Sequence, residues 1–583
     1  MCYNGTEKSV QPVQQKEEFD GTMKKKLVPV LVAFLLILVV AAVGIITMMI
    51  NKYTPSEQVM EDSDYYGVTG EEVAVVLQDQ VSEQNARMID GRVYLDYETV
   101  STYLNPRFYW DQNEEKLLYT TPTEIITIAA DDSTYRIGQE ETTVEYIIFK
   151  TEEEKGYLAL EFVKLFTDME YQRYEDPNKI VIQYKWGDLP TVTASEDTYV
   201  RYRGGIKSDI LTQVLAGTDM LLLKELEDWY QVATEEGYIG YVQKKDVFEA
   251  EDKKYASTGF AAPEYTSQVR EHKINLAWHQ VTSQDANNNL AASVANAKGL
   301  NTISPTWFSV TDNQGNISSL ADPDYVALAH EMGLEVWGLI DNFNTEVSTL
   351  EVLSRTSVRQ YLIDQLIQKA QEVGLDGINL DFESITEEEG PHFIQFVREL
   401  SITCRKNELV LSIDNPVPQY TSHYNRKEQG IVADYVIIMG YDEHFNGSEE
   451  AGSVASISFF NEGIEQTLEE VPAEKVIGGV PFYTRLWRVS VSENVTSEVM
   501  GMDEAAAYIA EKGIETFWDK STGQNYGEYE AEDATYKIWL EDEQSLEERM
   551  KLIQNYQLAG AAAWKLGFER NSVWDVISGY LNE

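Results

Sequence analysis

Residues 374–384 read GLDGINLDFES, and place three acidic side chains and an amide within eight residues, Asp376 to Glu383. Asn379, Asp381 and Glu383 share one parity, so in a strand all three point to one face while Leu380 and Phe382 point to the other. A carboxyl that sits beside another carboxylate in a low dielectric has its pKa raised. A raised pKa is what a general acid needs near neutral pH. Glu383, last in the run, is therefore the candidate proton donor and Asp381 its partner. Asn379 can donate a hydrogen bond to Asp381 but cannot titrate, which predicts a neutral support and a shift of Asp381 ionisation toward lower pH; the alternative is a buried amide that satisfies barrel backbone. Asp376 has the opposite parity and reads as a turn or supporting group.

The elements that must position these residues occupy the chain after Arg270. Apolar strand-like runs recur there: INLAWHQV, NTISPTWFSV, LEVWGLI, GINLDFE, LVLSIDN, DYVIIMGYD, VIGGVPFYTRLW and GAAAWKLGF. Amphipathic stretches such as SVRQYLIDQLIQKAQEVG and PHFIQFVRELSITCRKNE lie between them. Eight buried strands alternating with helices predict a parallel (β/α)8 TIM barrel over 271–583, with its active site at the C-terminal ends of the strands. GINLDFE is the fourth strand. Residues 490–543 hold no obvious long α+β insertion, though a small lobe is compatible with them.

DGINLDFE resembles the D-x-x-D-x-D-x-E signature of glycoside hydrolase family 18, the chitinase-like barrels, with Asn379 in place of the middle Asp. The wording is most similar to the YaaH-type spore peptidoglycan N-acetylglucosaminidases. MGYDEH (439–444) resembles the family's strand-six Met-x-Tyr-Asp, GGVPFYTRLW its strand seven, and AAAWKLG supplies a strand-eight Trp, Trp564. The resemblance implies substrate-assisted retaining hydrolysis of β-1,4-linked N-acetylglucosamine glycans, with no cofactor and no metal. It implies Glu383, Asp381 and Tyr441 as the catalytic set and Asn379, Asp376 and Asp442 in support. Trp564, Trp307, Tyr483 and Arg485 become candidates for sugar contact. Trp564 reads first as a sugar platform with core as the alternative, Trp307 is as readable as core, Asp442 has a turn residue as its alternative, and Trp337, mid-strand, reads as core. The six histidines are scattered, with His272 and His279 on opposite parities of a predicted strand.

The rest of the chain is modular. Residues 27–50 are 24 without a charge, about 36 Å as a helix against a hydrocarbon core of about 30 Å. That exceeds a signal peptide's apolar region and predicts an uncleaved transmembrane helix. Lys24, Lys25 and Lys26 precede it, which places residues 1–26 in the cytoplasm and the domains outside. Met23 is a second natural start position. Cys2 and Cys404 then fall on opposite sides, so no disulfide within one chain is expected. Residues 51–70 read as an acidic tether. Residues 71–186 contain a repeat at offset 63, with Tyr94-Leu95 answered by Tyr157-Leu158 and Lys116-Leu117 by Lys179-Ile180. This predicts one small α+β domain, similar to the copper-amine-oxidase N-terminal type but without His or Cys. YVRYRGGIKSDILTQVLAG and DWYQVATEEGYIGYV resemble a bacterial SH3 domain over 188–248, a cell-wall binding candidate in which Trp229 is as readable as core. Residues 249–270 read as a linker.

A net charge of −52 excludes a nucleic-acid partner, which needs a basic footprint. The same charge predicts repulsion from anionic membranes and polymers at low salt. Two readings compete with an enzyme: a lectin-like glycan binder and a cell-wall scaffold.

Overall fold

A computed structural model describes residues 21–68 and 72–582. Cys2 and most of the expected cytoplasmic segment lie outside the described residues. The chain divides into two compact units: residues up to Gly91 with Asp168–Thr258, and Arg92–Thr167 with Gly259 onward. The segment expected as one α+β domain, 71–186, thus contributes to both.

The first unit begins with the helix Gly21–Tyr53, whose apolar side chains from Val28 onward are exposed along its length. It is long and apolar enough to cross a membrane. The expected tether is ordered for much of its length. Ser56 N donates to Ile206 O, Met60 N to Ile210 O, and Ile210 N to Gln58 O. The short helix Asp62–Tyr66 follows, and Tyr65 and Tyr66 pack against Tyr238. A seven-stranded antiparallel sheet forms the SH3-type barrel of this unit. Its last strand, Glu251–Tyr255, comes from the expected linker and pairs with Gly187–Thr193.

In the second unit eight parallel strands close into a barrel. They are β1 (Ile274–His279), β2 (Thr302–Val310), β3 (Glu335–Asp341), β4 (Gly377–Asp381), β5 (Val410–Pro416), β6 (Tyr435–Met439), β7 (Val476–Pro481) and β8 (Gly560–Trp564). Each pairs with the next, and β8 pairs back onto β1. Every strand is almost wholly buried, which is why the sequence runs are apolar rather than alternating. The outward faces pack on helices such as Thr356–Val373 and Gly390–Lys406. The inward faces stack Leu276, Trp337, Val410, Tyr435 and Ile437 within the barrel.

Two additions flank the barrel in this unit. Between β7 and β8 a five-stranded antiparallel sheet and the helix Met502–Lys512 form a lobe over Tyr483–Leu540. The segment left open as a small lobe is thus an α+β insertion, and it begins earlier than residue 490. Its strands are of mixed burial, with no clean alternation and no continuous apolar run, so no sustained period announces them. The second addition, residues 92–167, is fixed to the barrel by charged and polar bonds. Arg107 makes a fork on Glu428, at 2.9 and 3.2 Å, which Arg398 also reaches at 2.8 Å. Asp111 accepts from the N–H and hydroxyl of Thr356, both at 2.6 Å. Arg359 donates to Tyr109 and forms two bonds with Glu399.

Arg359 and Glu399 are fully buried, with side chains 0% and 1% exposed. Substituting Glu399→Gln leaves a guanidinium without its counter-charge in the interior and is expected to cost about 3–5 kcal/mol. Breaking the exposed Arg136–Glu141 pair should cost only ~0–1 kcal/mol. Urea unfolding of the full chain in detergent measures both; equal midpoints for the two variants would contradict the assignment.

Candidate active site

The C-terminal ends of β4, β5 and β6 frame a cavity of about 430 Å³, lined among others by Trp278, Asp381, Glu383, Asp414, Tyr441 and Trp564. A larger cavity of about 840 Å³ lies where residues 92–167 meet the barrel, lined by Tyr97, Trp110, His392 and Arg398 among others. The aligned carboxylates belong to the smaller one.

Gly374 starts the arrangement. Its φ of 78° ends the helix Thr356–Val373 in a left-handed cap, and the chain turns into β4. Gly377 must lack a side chain, because a Cβ there would lie 2.8 Å from both Trp337 and the Val410 carbonyl. Five strand residues then carry Asn379 and Asp381 into the barrel, and Glu383 follows just past the strand end. Both backbone groups of Glu383 are held by one side chain: its N–H donates to Asn342 Oδ1 at 2.9 Å and its carbonyl accepts from Asn342 Nδ2 at 3.0 Å.

Parallel register places neighbouring strands in common inward layers. Asn379 pairs with Ser412 and Asp341 with Asp381. Leu380 pairs with Ile413, so Asp381 and Asp414 stand next along β4 and β5. Three carboxylates on β3, β4 and β5 thus share one layer below Glu383. The Asp381 carboxyl lies well above the ordinary range through burial first, then Asp414, Glu383 and Asp341. Asp414 is raised by burial and by Glu383, against a hydrogen bond from Asn379. Glu383 is accessible across the pocket, yet surrounding protein desolvates its carboxyl and Asp442 and Asp341 push it further up. Burial, with the nearby carboxylates, drives Tyr441 well above the tyrosine range, so its hydroxyl keeps its proton.

Asn379 is fully engaged. Its Oδ1 accepts from Trp278 Nε1 and from Ser304 Oγ, both at 2.9 Å. Its Nδ2 donates to Asp414 Oδ1 at 2.8 Å and to Ser412 Oγ at 3.1 Å. The indole N–H can only donate, which fixes the amide's orientation. The expected bond from Asn379 to Asp381 is therefore corrected: the amide faces sideways to β5, because side chains of one strand two apart stand above one another while register partners stand abreast. It satisfies side chains rather than barrel backbone.

Other expected residues divide. Trp564 lines the pocket and packs on Trp278 with ring centroids 5.9 Å apart. Asp442 lines it too, and accepts from the Tyr483 hydroxyl at 2.5 Å, so Tyr483 holds Asp442 rather than lining the cavity. Arg485 belongs to the lobe and donates to Ser497 at 3.1 Å. Trp307 is corrected: it faces outward from β2, buried against Tyr325 with its N–H on Asn287 at 2.9 Å. Inward parity on β2 belongs to Ser304. Asp376 stands at the opposite, N-terminal end of β4, where it accepts from Val336 N at 2.7 Å and pairs with His330 at 2.8 Å. Among the described residues no His, Cys, Asp and Glu group is arranged to hold a metal.

Trp278, Ser304, Asp341, Asn342 and Asp414 were not anticipated. A signal existed for Asp414: in LVLSIDN, Ser412 and Asp414 share a parity, as Asn379 and Asp381 do in the strand before.

A closed parallel barrel with a carboxylate cluster at its C-terminal mouth is an enzyme site in its usual place. The sequence agrees. Residues 336–569 match the family "Glycosyl hydrolases family 18", and residues 201–247 match "Bacterial dipeptidyl-peptidase Sh3 domain". The chain is 26% identical over 292 residues to the "Uncharacterized glycosylase YvbX" of Bacillus subtilis, covering 48% of this chain and 84% of that one. It is 24% identical over 249 residues to the "Cortical fragment-lytic enzyme" of the same organism, covering 41% and 57%. The crystal structure of the Bacillus cereus spore cortex-lytic enzyme SleL superposes with a TM-score of 0.48 at 19% identity, covering 56% of this chain and 78% of that one. Over residues 336–569 the C-terminal barrel is similar to glycosyl hydrolases family 18, and the protein is a glycosidase.

Proposed function

We propose that the protein is a membrane-anchored, outward-facing glycosidase that cleaves β-1,4 linkages of N-acetylglucosamine-containing glycans, with peptidoglycan as substrate. The observation that carries the chemistry is the convergence of Glu383, Asp381 and Tyr441 on one pocket. The anchor is supported by the helix Gly21–Tyr53 with Lys24, Lys25 and Lys26 at its head. Peptidoglycan is supported by the SH3-type domain and by the likeness to a cortical fragment-lytic enzyme.

The mechanism assigns each proton. Glu383, whose carboxyl is raised by burial, Asp442 and Asp341, donates its proton to the glycosidic oxygen as the bond to C1 breaks. The carbonyl oxygen of the substrate's 2-acetamido group forms the new bond to C1, giving an oxazolinium ion. This substrate-assisted route needs no protein nucleophile. Asp381 accepts the acetamido N–H and stabilises the positive charge, while Tyr441 donates to the acetamido oxygen. The Glu383 carboxylate then takes a proton from water, whose oxygen bonds to C1 from the face the leaving group left as the bond from C1 to the acetamido oxygen breaks, restoring the acetamido group with retention at C1. Trp564 presents its indole to the sugar's apolar face.

The full-length chain in detergent, incubated with muropeptides and N-acetylglucosamine oligomers, should release shortened glycans. Glu383→Gln should lower the rate by roughly 10²–10⁴-fold. Identical product profiles for the two sink the enzymatic reading, and tight glycan binding without turnover selects a lectin-like one. In the same assay Asp442→Asn removes a negative charge that raises Glu383. The proton donor then deprotonates at lower pH, so the alkaline limb of kcat moves down; a limb that stays in place argues against Glu383 as the acid. For the anchor, the chain should stay in the membrane pellet after an alkaline carbonate wash, and its appearance in the supernatant would remove that part of the proposal.

A further inference from the structure

Asp414 has no assigned role, yet it stands beside Asp381 in the layer shared by β4 and β5 and lines the same pocket. Two adjacent carboxylates cut off from water cannot both ionise cheaply, and such pairs titrate as a unit. The groups facing them add only negative charge or hydrogen bonds. β3 contributes Asp341, the end of β4 contributes Glu383, and the end of β6 contributes Tyr441 and Asp442. β1 and β2 contribute Trp278 and Ser304, both bonded to Asn379, and the Trp278 indole N–H also reaches toward Asp414. β8 contributes Trp564. One oxygen of Asp381, Oδ1, is buried without a hydrogen-bond partner. An anion left in that state is costly, and a shared proton relieves the cost.

We propose that Asp414 is a positioning residue that holds one proton jointly with Asp381, and that Asn379 is the fixed amide that orients it. This deepens the functional reading above and rests on it for its catalytic meaning. In the resting pair one carboxyl is neutral. When an acetamido N–H reaches Asp381, the proton resides on Asp414 and Asp381 is the anion. No proton enters or leaves the pair, and no second anion stands beside the oxazolinium ion's partner. Asn379, with its two acceptor bonds and two donor bonds all used, holds Asp414 Oδ1 as an acceptor and so fixes the orientation of that carboxyl.

The test follows the protonated-carboxyl infrared band of the full-length chain in detergent as a function of pH, in wild type, Asp414→Asn and Asp381→Asn. Each substitution removes the neighbour that raises the remaining carboxyl, so the band contributed by that carboxyl should disappear at a pH at least one unit lower than in wild type. The effect should be reciprocal. A hydrogen-bond acceptor of purely structural importance would leave the midpoint where it is. Unchanged midpoints in either variant overturn the proposal. Turnover of N-acetylglucosamine oligomers at neutral pH should survive Asp414→Asn within about tenfold, because an amide copies the neutral carboxyl; a thousandfold loss also overturns it. If the wild-type chain turns over no oligomer, the functional reading fails by itself, and the infrared midpoints still decide whether the pair shares a proton.

Discussion

Closing eight parallel strands on themselves forces the inward side chains of neighbouring strands into shared layers, and that constraint organises the rest of the site. A strand cannot place a polar residue inward without setting it beside the inward residues of both neighbours. Asp341, Asp381 and Asp414 are abreast for this reason, and no one of them can be understood from its own strand. The layer below carries Ser304, Asn379 and Ser412, with the Trp278 indole reaching in from β1. A neutral, fully bonded layer beneath a carboxylate layer lets the charged groups sit at the mouth, where the pocket opens, while the apolar layers deeper down keep the barrel closed.

Unpaired carboxylates are normally excluded from interiors, and the barrel tolerates these because they need not all be charged. Burial and mutual repulsion lift Asp381, Asp414 and Glu383 together. The linkage sign follows. A carboxyl raised in the folded state contributes its full stability below the unfolded value, near 4, and loses it as pH rises through the raised one. The site is thus a local cost at neutral and higher pH, set against the apolar core and buried pairs such as Arg549–Glu541, where charge is matched by charge. The same groups that make the mouth reactive make it the barrel's least comfortable place.

Much of this was legible in the sequence. Alternation of apolar runs and amphipathic stretches revealed the eight strands, and parity within one strand ranked Glu383 and Asp381 above Asp376. Parity failed where contacts run between strands. It could not say that Asn379 faces Asp414, since that depends on register, which is fixed by closure and not by any one segment. Trp307 shows the opposite error: an aromatic at a strand's end looks like a sugar contact until the neighbouring Ser304 claims the inward parity. The lobe over Tyr483–Leu540 was legible only as a small lobe compatible with the segment, because strands of mixed burial carry no sustained period. The tether after Tyr53 read as a tether on composition, but its bonds are made by backbone groups, to which composition is blind.

The charge of the whole chain bears on what the site must work against. At −52 the protein is repelled by polyanions over the Debye length, about 8 Å at physiological ionic strength and longer in dilute media. On the proposed reading its substrate is itself a wall polymer, so encounter by diffusion alone would be slow at low salt. On the same proposed reading, a membrane helix and a wall-binding module address this in the same way. They replace a bimolecular encounter with a high local concentration, which long-range repulsion diminishes far less. The contact that remains is short-range and largely uncharged: an indole against a sugar face, a tyrosine hydroxyl and a carboxylate against an acetamido group. A neutral Asp414 fits that logic, because it confines the anionic character of the pocket floor to the one carboxylate the substrate's N–H requires.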